Sequence, residues 1–246
     1  MLNKIIKLGI SKVEAEELIR VSKNIENDYQ KLLEDYPIQY LIGYVNFYGY
    51  KININNDVLI PRYETEYLVE KTINYIKKIF NKNVNILDIG CGSGAISIAL
   101  KKELDCKITA CDISSKALKV ASKNSQLNNA DITIIKSDIY KNIHDKFDVI
   151  ISNPPYISED EKIMDSVKKY EPHIALYAKE DGLYFYKEIL KSAKEYLNDK
   201  FIIAFEIGCC QSKKISSIAK TYFNDSKIIV EKDLSLKDRY IFIINE

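Results

Sequence analysis

The chain lacks an excess of either charge: 36 Lys and Arg stand against 35 Asp and Glu over 246 residues, a formal net charge of +1. That balance removes any global attraction to nucleic acid or to an acidic membrane and leaves only a local basic patch as an option. Long apolar runs are missing too, and none approaches the ~20 residues that a bilayer-spanning helix needs. The opening stretch MLNKIIKLGI has neither a long uncharged core nor a small-residue cleavage site, so no secretory signal is expected and a cytoplasmic location is. Five cysteines form no C-x-x-C pair, and His144 and His173 are the only histidines. Reduced thiols and no metal are therefore expected. No repeat or low-complexity tract is present. Glycine and proline are scarce, eight and five, which makes the two places where they crowd together stand out: the glycines at 90, 92 and 94, and the pair Pro154–Pro155.

What is present has a clear order. The first 35 residues read as helix, with Ser11 and Glu14 spaced as a capping box ahead of Ala15, Leu18 and Ile19. VNFYGYKININNDVLI (45–60) alternates apolar and polar residues around an Asn/Asp cluster and predicts a hairpin. After Pro61, the residues Leu68, Val69, Thr72, Ile76 and Ile79 keep helical spacing through 64–80. From residue 84 strand and helix alternate: VNILDIG then AISIALKKEL, KITACDI then SSKALKVASKNSQL with Ser114 as cap, then DITIIKSDI and KFDVIISN. A helix over 182–197, the strand FIIAFEIG, and a tail with one more helix and two strands follow. This alternation predicts an α/β fold with a doubly wound, mostly parallel sheet entered by right-handed crossovers. The expected division is a short helical domain over 1–43, a hairpin linker over 44–63 and the α/β domain over 64–246. Ligands of such sheets lie at the carboxyl ends of the strands, where the glycine turn, Asp112 and SNPPY all fall.

LDIGCGSGAI sets Gly90, Gly92 and Gly94 between a strand and a helix. Glycine permits positive φ and close backbone approach, and a helix start offers free N–H groups. Asp112 closes the next strand, about twenty residues on, where a carboxylate accepts hydrogen bonds from ribose hydroxyls. A tight turn with a surface aspartate is the plain alternative. Gly90-x-Gly92-x-x-Ala95 also satisfies the dinucleotide fingerprint, which makes a dehydrogenase the sharper rival. Asp88, two residues before the first glycine, weighs against it, because an acid there repels pyrophosphate. S-adenosylmethionine carries ribose, ammonium and sulfonium but no phosphate, and its cationic end suits Asp88.

The apolar run Phe147–Ile151 is followed by Ser152-Asn153-Pro154-Pro155-Tyr156. Consecutive prolines lack N–H groups, fix φ and hold Asn153 in an extended conformation. Such a rigid polar claw suits a carboxamide substrate. An amide nitrogen is a poor nucleophile, and two acceptors on its N–H bonds, the Asn153 side-chain oxygen and the Pro154 carbonyl, would aim its lone pair at an incoming methyl carbon. Tyr156 would cover the planar target. Orientation is worth up to about 7–11 kcal/mol, with stabilisation of developing charge added. A strand-terminating Pro-Pro turn is the plain alternative here. Glu206, closing FIIAFE, is either a support for this site or capped by its own turn; Tyr184 and Tyr186 read as packing.

PIQYLIG (37–43), FYGYKININNDVLIPRYETEYLVE (47–70), LDIGCGSGAISIAL (87–100), ACDISSKAL (110–118), FDVIISNPPYI (147–157), YEPHIALYAKEDGL (170–183), FEIGCCQ (205–211) and DRYIFI (238–243) occur in that order. Together they resemble the pattern of HemK-type peptide chain release factor N5-glutamine methyltransferases from residue 37 onward. NPPY alone is shared with adenine-N6 DNA methyltransferases and some RNA methyltransferases, whereas VLIPR-x-ETE is far more specific. The resemblance implies a class I S-adenosylmethionine-dependent methyltransferase fold, Rossmann-like, with a mostly parallel seven-stranded sheet. It implies methyl transfer from S-adenosylmethionine to the side-chain amide of the glutamine in the Gly-Gly-Gln motif of class-1 peptide chain release factors.

By position, the resemblance implies that Gly90, Cys91, Gly92, Ser93 and Gly94 form the cofactor loop, with Asp88 beside it. Asp112 would bind ribose, and Asp138 and Ile139 would lie against adenine. Asn153, Pro154, Pro155 and Tyr156 would hold the target glutamine, Asn153 facing the cofactor as well. Arg62, Glu64 and Glu66 would shape the pocket wall, Arg62 pairing with Glu64 or Glu66 or touching substrate. Three departures stand out: Tyr63 replaces a usual proline, YAKEDGL lacks a glycine pair before DGL, and 36 residues precede PIQYLIG, fewer than the family's helical substrate-docking domain has. A nucleic-acid amino-group methyltransferase is the alternative enzyme and should carry a basic recognition region; residues 1–35 hold six Lys/Arg against seven Asp/Glu. A non-catalytic binding module is the third reading, against which Asn153, Gly90, Gly92 and Asp112 stand. Class-1 release factors are the expected partners, with no stable nucleic-acid partner and no membrane.

Overall fold

The computed structural model describes residues 1–246. Four short helices, α1 (Leu2–Ile6), α2 (Lys12–Val21), α3 (Ile25–Leu33) and α4 (Ile38–Ile42), precede a hairpin of β1 (Tyr44–Phe47) and β2 (Tyr50–Asn53). Helix α5 (Tyr63–Ile79) leads into β3 (Val84–Ile89), α6 (Ala95–Glu103), β4 (Cys106–Asp112), α7 (Ser115–Leu127), β5 (Thr133–Lys136) and β6 (Phe147–Ser152). Then come α8 (Asp165–Tyr170), a single irregular turn α9 (Lys179–Gly182), α10 (Tyr184–Tyr196), β7 (Leu197–Glu206), α11 (Ser212–Tyr222), β8 (Lys227–Lys232) and β9 (Asp238–Asn245).

Seven strands form one sheet in the order β5-β4-β3-β6-β7-β9-β8, parallel except for β9, which runs antiparallel to both neighbours. The α/β class and mostly parallel sheet expected from the sequence are therefore what the chain forms. Both faces are covered, which explains why β6 is buried at every position, Asp148 and Ser152 included. Successive side chains face opposite sides: Ile86, Val149 and Ile202 join Leu68 and Ile98 on one face, while Leu87, Ile150 and Ile203 join Tyr186 and Ile215 on the other. Ile5, Ala15, Leu18, Leu32 and Ile38 make a separate small cluster within the first helices. Ser11 caps α2 as expected, its Oγ accepting from Glu14 N–H at 3.2 Å, and Ser114 caps α7 in the same way through Ala117.

The hairpin departs from expectation. Its reversal is not at the Asn/Asp cluster but at Tyr48–Gly49, both with positive φ (52° and 82°), between the paired residues Phe47 and Tyr50. Two left-handed residues match the twist of a two-residue hairpin turn. Asn55 instead closes a local turn, its side-chain oxygen accepting from Asp57 N–H at 3.0 Å. Phe47 and Ile52 are fully packed into the main core. Asn124 of α7 fastens the hairpin further, accepting from Asn53 N–H (2.8 Å) and donating to the carbonyls of Asn53 and Ser93 (2.9 Å each).

From β3 the chain moves outward to β4 and β5 and then returns to β6 on the other side of β3. This reversal opens a crevice beyond the carboxyl ends of β3 and β6, where Ile89 pairs with Ser152.

Candidate active site

The crevice holds two chambers. The larger, about 830 Å³ and open to solvent, is lined by Gly90, Gly92, Asp112, Asp138, Ile139 and Asn153, among others. The smaller, about 420 Å³, is lined by Arg62, Asn153, Pro154, Tyr156 and Glu206, among others. Asn153 and Pro154 face both, so they form the wall where the chambers meet.

The floor of the larger chamber is built by backbone. Gly90, Gly92 and Gly94 adopt positive φ (73°, 54° and 80°), which side chains resist. The N–H groups of Gly90 and Cys91 both donate to the Cys111 carbonyl, at 2.8 and 3.0 Å, tying the turn to β4. Asp112 accepts from Gly92 N–H on one carboxylate oxygen (2.9 Å) and from Ser114 N–H on the other (2.8 Å). These bonds fix the carboxylate while leaving lone pairs for a ligand's hydroxyls. Burial pushes the Asp112 carboxyl up, and the backbone donors oppose it. Ile139 sits at φ 50°, a left-handed conformation unusual for a β-branched residue, and its carbonyl is held by Ser137 Oγ at 2.9 Å. Strain of this kind collects at ligand sites.

Other residues singled out from the sequence lie behind this surface. Cys91, Ser93 and Gly94 do not line either chamber; Cys91 packs with Ala110 and Ala121, and Gly94 begins α6. Asp88 is fully buried beneath the turn, with Ser97 Oγ donating to Oδ2 at 2.6 Å and Oδ1 without a partner. Burial pushes its carboxyl up to about 7, the Ser97 bond opposing and the Asp112 charge adding to the shift.

The second chamber is framed by residues far apart in sequence. Register places Ser152 opposite Phe205, so Asn153 and Glu206 stand side by side at the ends of β6 and β7. Asn153 Nδ2 donates to Thr65 Oγ1 (3.1 Å), and Thr65 Oγ1 donates to Glu206 Oε2 (2.7 Å). Glu206 is 2% exposed, and burial pushes its carboxyl up to about 7. The Tyr156 carbonyl is held by Gln211 Nε2 at 2.9 Å, while burial pushes the Tyr156 phenol up.

Arg62 does not pair with Glu64 or Glu66. Its Nη2 donates to Glu171 at 2.5 Å, and Glu171 also accepts from Ile60 N–H at 3.1 Å. Glu66 accepts from Tyr48 N–H at the hairpin turn, and Glu64 is exposed and lines neither chamber. Sequence reasoning placed no role on Thr65 or Glu171. Both lie inside stretches that carried the resemblance, YETEYLVE and YEPHIALYA, and a charged or hydroxylic residue in such a stretch was the available signal.

The chain is similar to known methyltransferases. Residues 67–171 match the family model described as "Methyltransferase small domain". A protein of Streptococcus pneumoniae named release factor glutamine methyltransferase is 46% identical over 168 residues, 67% of this chain and 59% of the relative. A relative of the same name from Thermodesulfovibrio yellowstonii is 38% identical over 193 residues, 76% of this chain and 69% of its own length. The match thus spans about three fifths of the pneumococcal relative's length. Among solved structures, a methyltransferase from Pyrococcus furiosus covers 89% of this chain with a TM-score of 0.59 at 19% identity, over 98% of its own length. A T. thermophilus 16S rRNA methyltransferase, in complex with AdoMet and guanosine, covers 82% of this chain and half of its own (50%), with a TM-score of 0.61 at 14% identity. At those identities the likeness is one of fold.

Proposed function

The chain belongs to the release factor glutamine methyltransferase family, and we propose that it transfers a methyl group from S-adenosylmethionine to the side-chain amide of the glutamine in the Gly-Gly-Gln motif of class-1 release factors. The observation that carries this reading is the meeting of the two chambers at Asn153 and Pro154: a nucleoside-sized space on one side, a space for a carboxamide on the other.

The residues present fit the cofactor. Gly90 and Gly92 keep side chains off the floor, Asp112 offers acceptors for ribose hydroxyls, and Asp138 with Ile139 forms a wall against the base. Asp88 acts from beneath the turn, its buried carboxylate favouring a cationic ligand above. When bound, S-adenosylmethionine supplies an electrophilic methyl carbon. Asn153 then accepts from the target amide through Oδ1, and Pro154 and Pro155, lacking N–H groups, offer carbonyls without competing donors. Tyr156 packs against the planar amide. No strong base is required, because an amide nitrogen that has gained a methyl group is very acidic and gives up its proton readily. The catalytic contribution is orientation, for which about 7–11 kcal/mol is the available scale.

The helical residues 1–43 and the hairpin over 44–63 are the segments we assign to approach of the factor, and 64–246 to the transfer itself. No helix is long and apolar enough to cross a membrane, in keeping with an enzyme that meets its substrate in the cytoplasm. The balanced charge supports a protein substrate over a nucleic-acid one. The test mixes purified protein and methyl-labelled cofactor with a release factor, with its Gly-Gly-Gln→Gly-Gly-Ala variant, and with adenine-bearing DNA or RNA. Label is expected on the unaltered factor alone; label on nucleic acid, or equally on the variant, overturns the assignment.

A further inference from the structure

Asn153 can work as an acceptor only if its amide oxygen, not its nitrogen, faces the target. The two ends of an amide have nearly the same shape, so packing alone does not choose between them; hydrogen-bond partners do. The choice is made at Thr65. A hydroxyl carries a single proton, and Thr65 donates it to Glu206 Oε2 at 2.7 Å. Thr65 is then obliged to accept from its other neighbour, and Asn153 Nδ2 supplies that bond at 3.1 Å. With the nitrogen so engaged, Asn153 Oδ1 takes no hydrogen bond from the protein and is left for a ligand. Thr65 is 5% exposed and Glu206 2%, so water does not compete for either.

We propose that Thr65 and Glu206 are positioning residues forming a polarity lock, in which the ionised Glu206 carboxylate, acting through the Thr65 hydroxyl, keeps Asn153 turned with its oxygen toward the acceptor nitrogen. The inference deepens the reading given above and rests on it for the identity of that nitrogen.

The lock has two states. An ionised carboxylate can only accept, which gives the polarity just described. A protonated Glu206 can donate to Thr65, freeing the Thr65 proton for Asn153 Oδ1 and turning the amide over. Burial raises the Glu206 carboxyl to about 7, opposed by the Thr65 bond, by Arg239 and by the Asn153 side chain, and reinforced by Glu64. The groups facing it come from every neighbouring element: Arg62 and Glu64 at the start of α5, Tyr156 beyond β6, Tyr186 of α10 donating to the Glu206 carbonyl at 2.8 Å, and Arg239 and Tyr240 of β9. None of these groups donates a hydrogen bond to the Glu206 carboxylate; Thr65 does, and the Asn153 side chain adds a favourable interaction with the same carboxylate, which holds the amide nitrogen on that side.

Two measurements test it. In steady-state methylation of a release factor, Thr65→Val should lower kcat by about 10- to 100-fold with KM nearly unchanged, and Thr65→Ser should restore it. The wild-type kcat should fall as pH drops through about 7, and Glu206→Gln, which cannot titrate, should lose that limb. Unchanged kcat in Thr65→Val, an effect confined to KM, a Ser variant no better than Val, or a limb surviving in Glu206→Gln each overturns the lock. The second measurement needs no substrate. In 15N-labelled protein the Asn153 side-chain amide resonances should titrate near 7 in the wild type and in Thr65→Ser, and stay fixed in Glu206→Gln. A protein that methylates no factor yet shows this titration retains the lock and loses the assigned substrate; a titration absent from the wild type removes the lock whatever the substrate.

Discussion

Arg62 and Glu171, 109 positions apart, meet through a charge-assisted hydrogen bond of 2.5 Å. The carboxylate is almost wholly buried, with 1% of its side chain exposed, while the guanidinium is 34% exposed. The pair clasps the segment before α5 to the loop that follows the Pro-Pro corner. Tyr170 adds to the clasp by donating to the Glu34 carbonyl at 2.9 Å, and Asn56 by donating to the Tyr170 carbonyl at 3.1 Å. The smaller chamber lies beneath it.

Arg62→Met should therefore leave a buried carboxylate without its counter-charge and lower stability by about 1–3 kcal/mol, read by urea denaturation. Glu171→Gln, which preserves volume and an acceptor for Ile60, should cost less. Equal stability of wild type and Arg62→Met would show that the clasp is ornamental.

Asp112 and Asn153 should separate binding from turnover. Loss of the charge-assisted bonds in Asp112→Ala is expected to weaken cofactor affinity about 10- to 100-fold by isothermal titration calorimetry. Asn153→Ala should bind cofactor nearly as well as the wild type and fail in transfer. The reverse pattern would mean that the two roles are exchanged.

Gly182 has no room for a side chain. A Cβ there would lie 2.0 Å from the Tyr156 carbonyl oxygen, and φ is 80°. Gly182→Ala should lose about 1–2 kcal/mol from backbone conformation alone, more from the clash, and should displace the Tyr156 segment so that transfer falls further than stability. Chemical denaturation and a methylation assay on the same sample make the comparison.

Asp88 should make stability depend on pH in an unusual direction. Its folded carboxyl titrates at about 7 against an ordinary 3.8, so the folded state holds the proton more tightly than the unfolded chain. Stability is then greatest at low pH and declines as pH rises between those two values, by about 4 kcal/mol at roughly 1.4 kcal/mol per unit. Asp88→Asn should raise stability over the wild type at about pH 8 and converge with it near pH 4, measured by thermal unfolding across pH. Glu206 titrates in the same sense, so part of the slope should persist in the variant.

The strand and helix alternation was legible because each element carried its own pattern: β6 is mostly apolar, with Val149, Ile150 and Ile151 in a row, and α5 repeats every three to four residues. Asn153 was legible because two prolines mark where its strand stops, and Asp112 because it closes the strand that follows the glycine turn, about twenty residues on. The hairpin turn was misplaced because an Asn-Asn-Asp run is a stronger turn signal than Tyr-Gly, yet the core accepted Phe47 and Ile52 and so fixed the reversal at Tyr48–Gly49. Thr65, Glu171 and Glu206 acquire their meaning only from partners 88 to 141 positions away. No local pattern encodes such a pairing; strand register and helix placement create it.

The antiparallel strand β9 has a consequence for when the site comes into being. It inserts between β7 and β8, both of which precede it in the chain. A nascent polypeptide leaving the ribosome therefore holds those two strands unjoined until β9 arrives, and Arg239 and Tyr240, the neighbours of Glu206, arrive with it. Translation of β9 thus supplies the last neighbours of Glu206, a residue of the smaller chamber whose other lining residues all precede it in the chain.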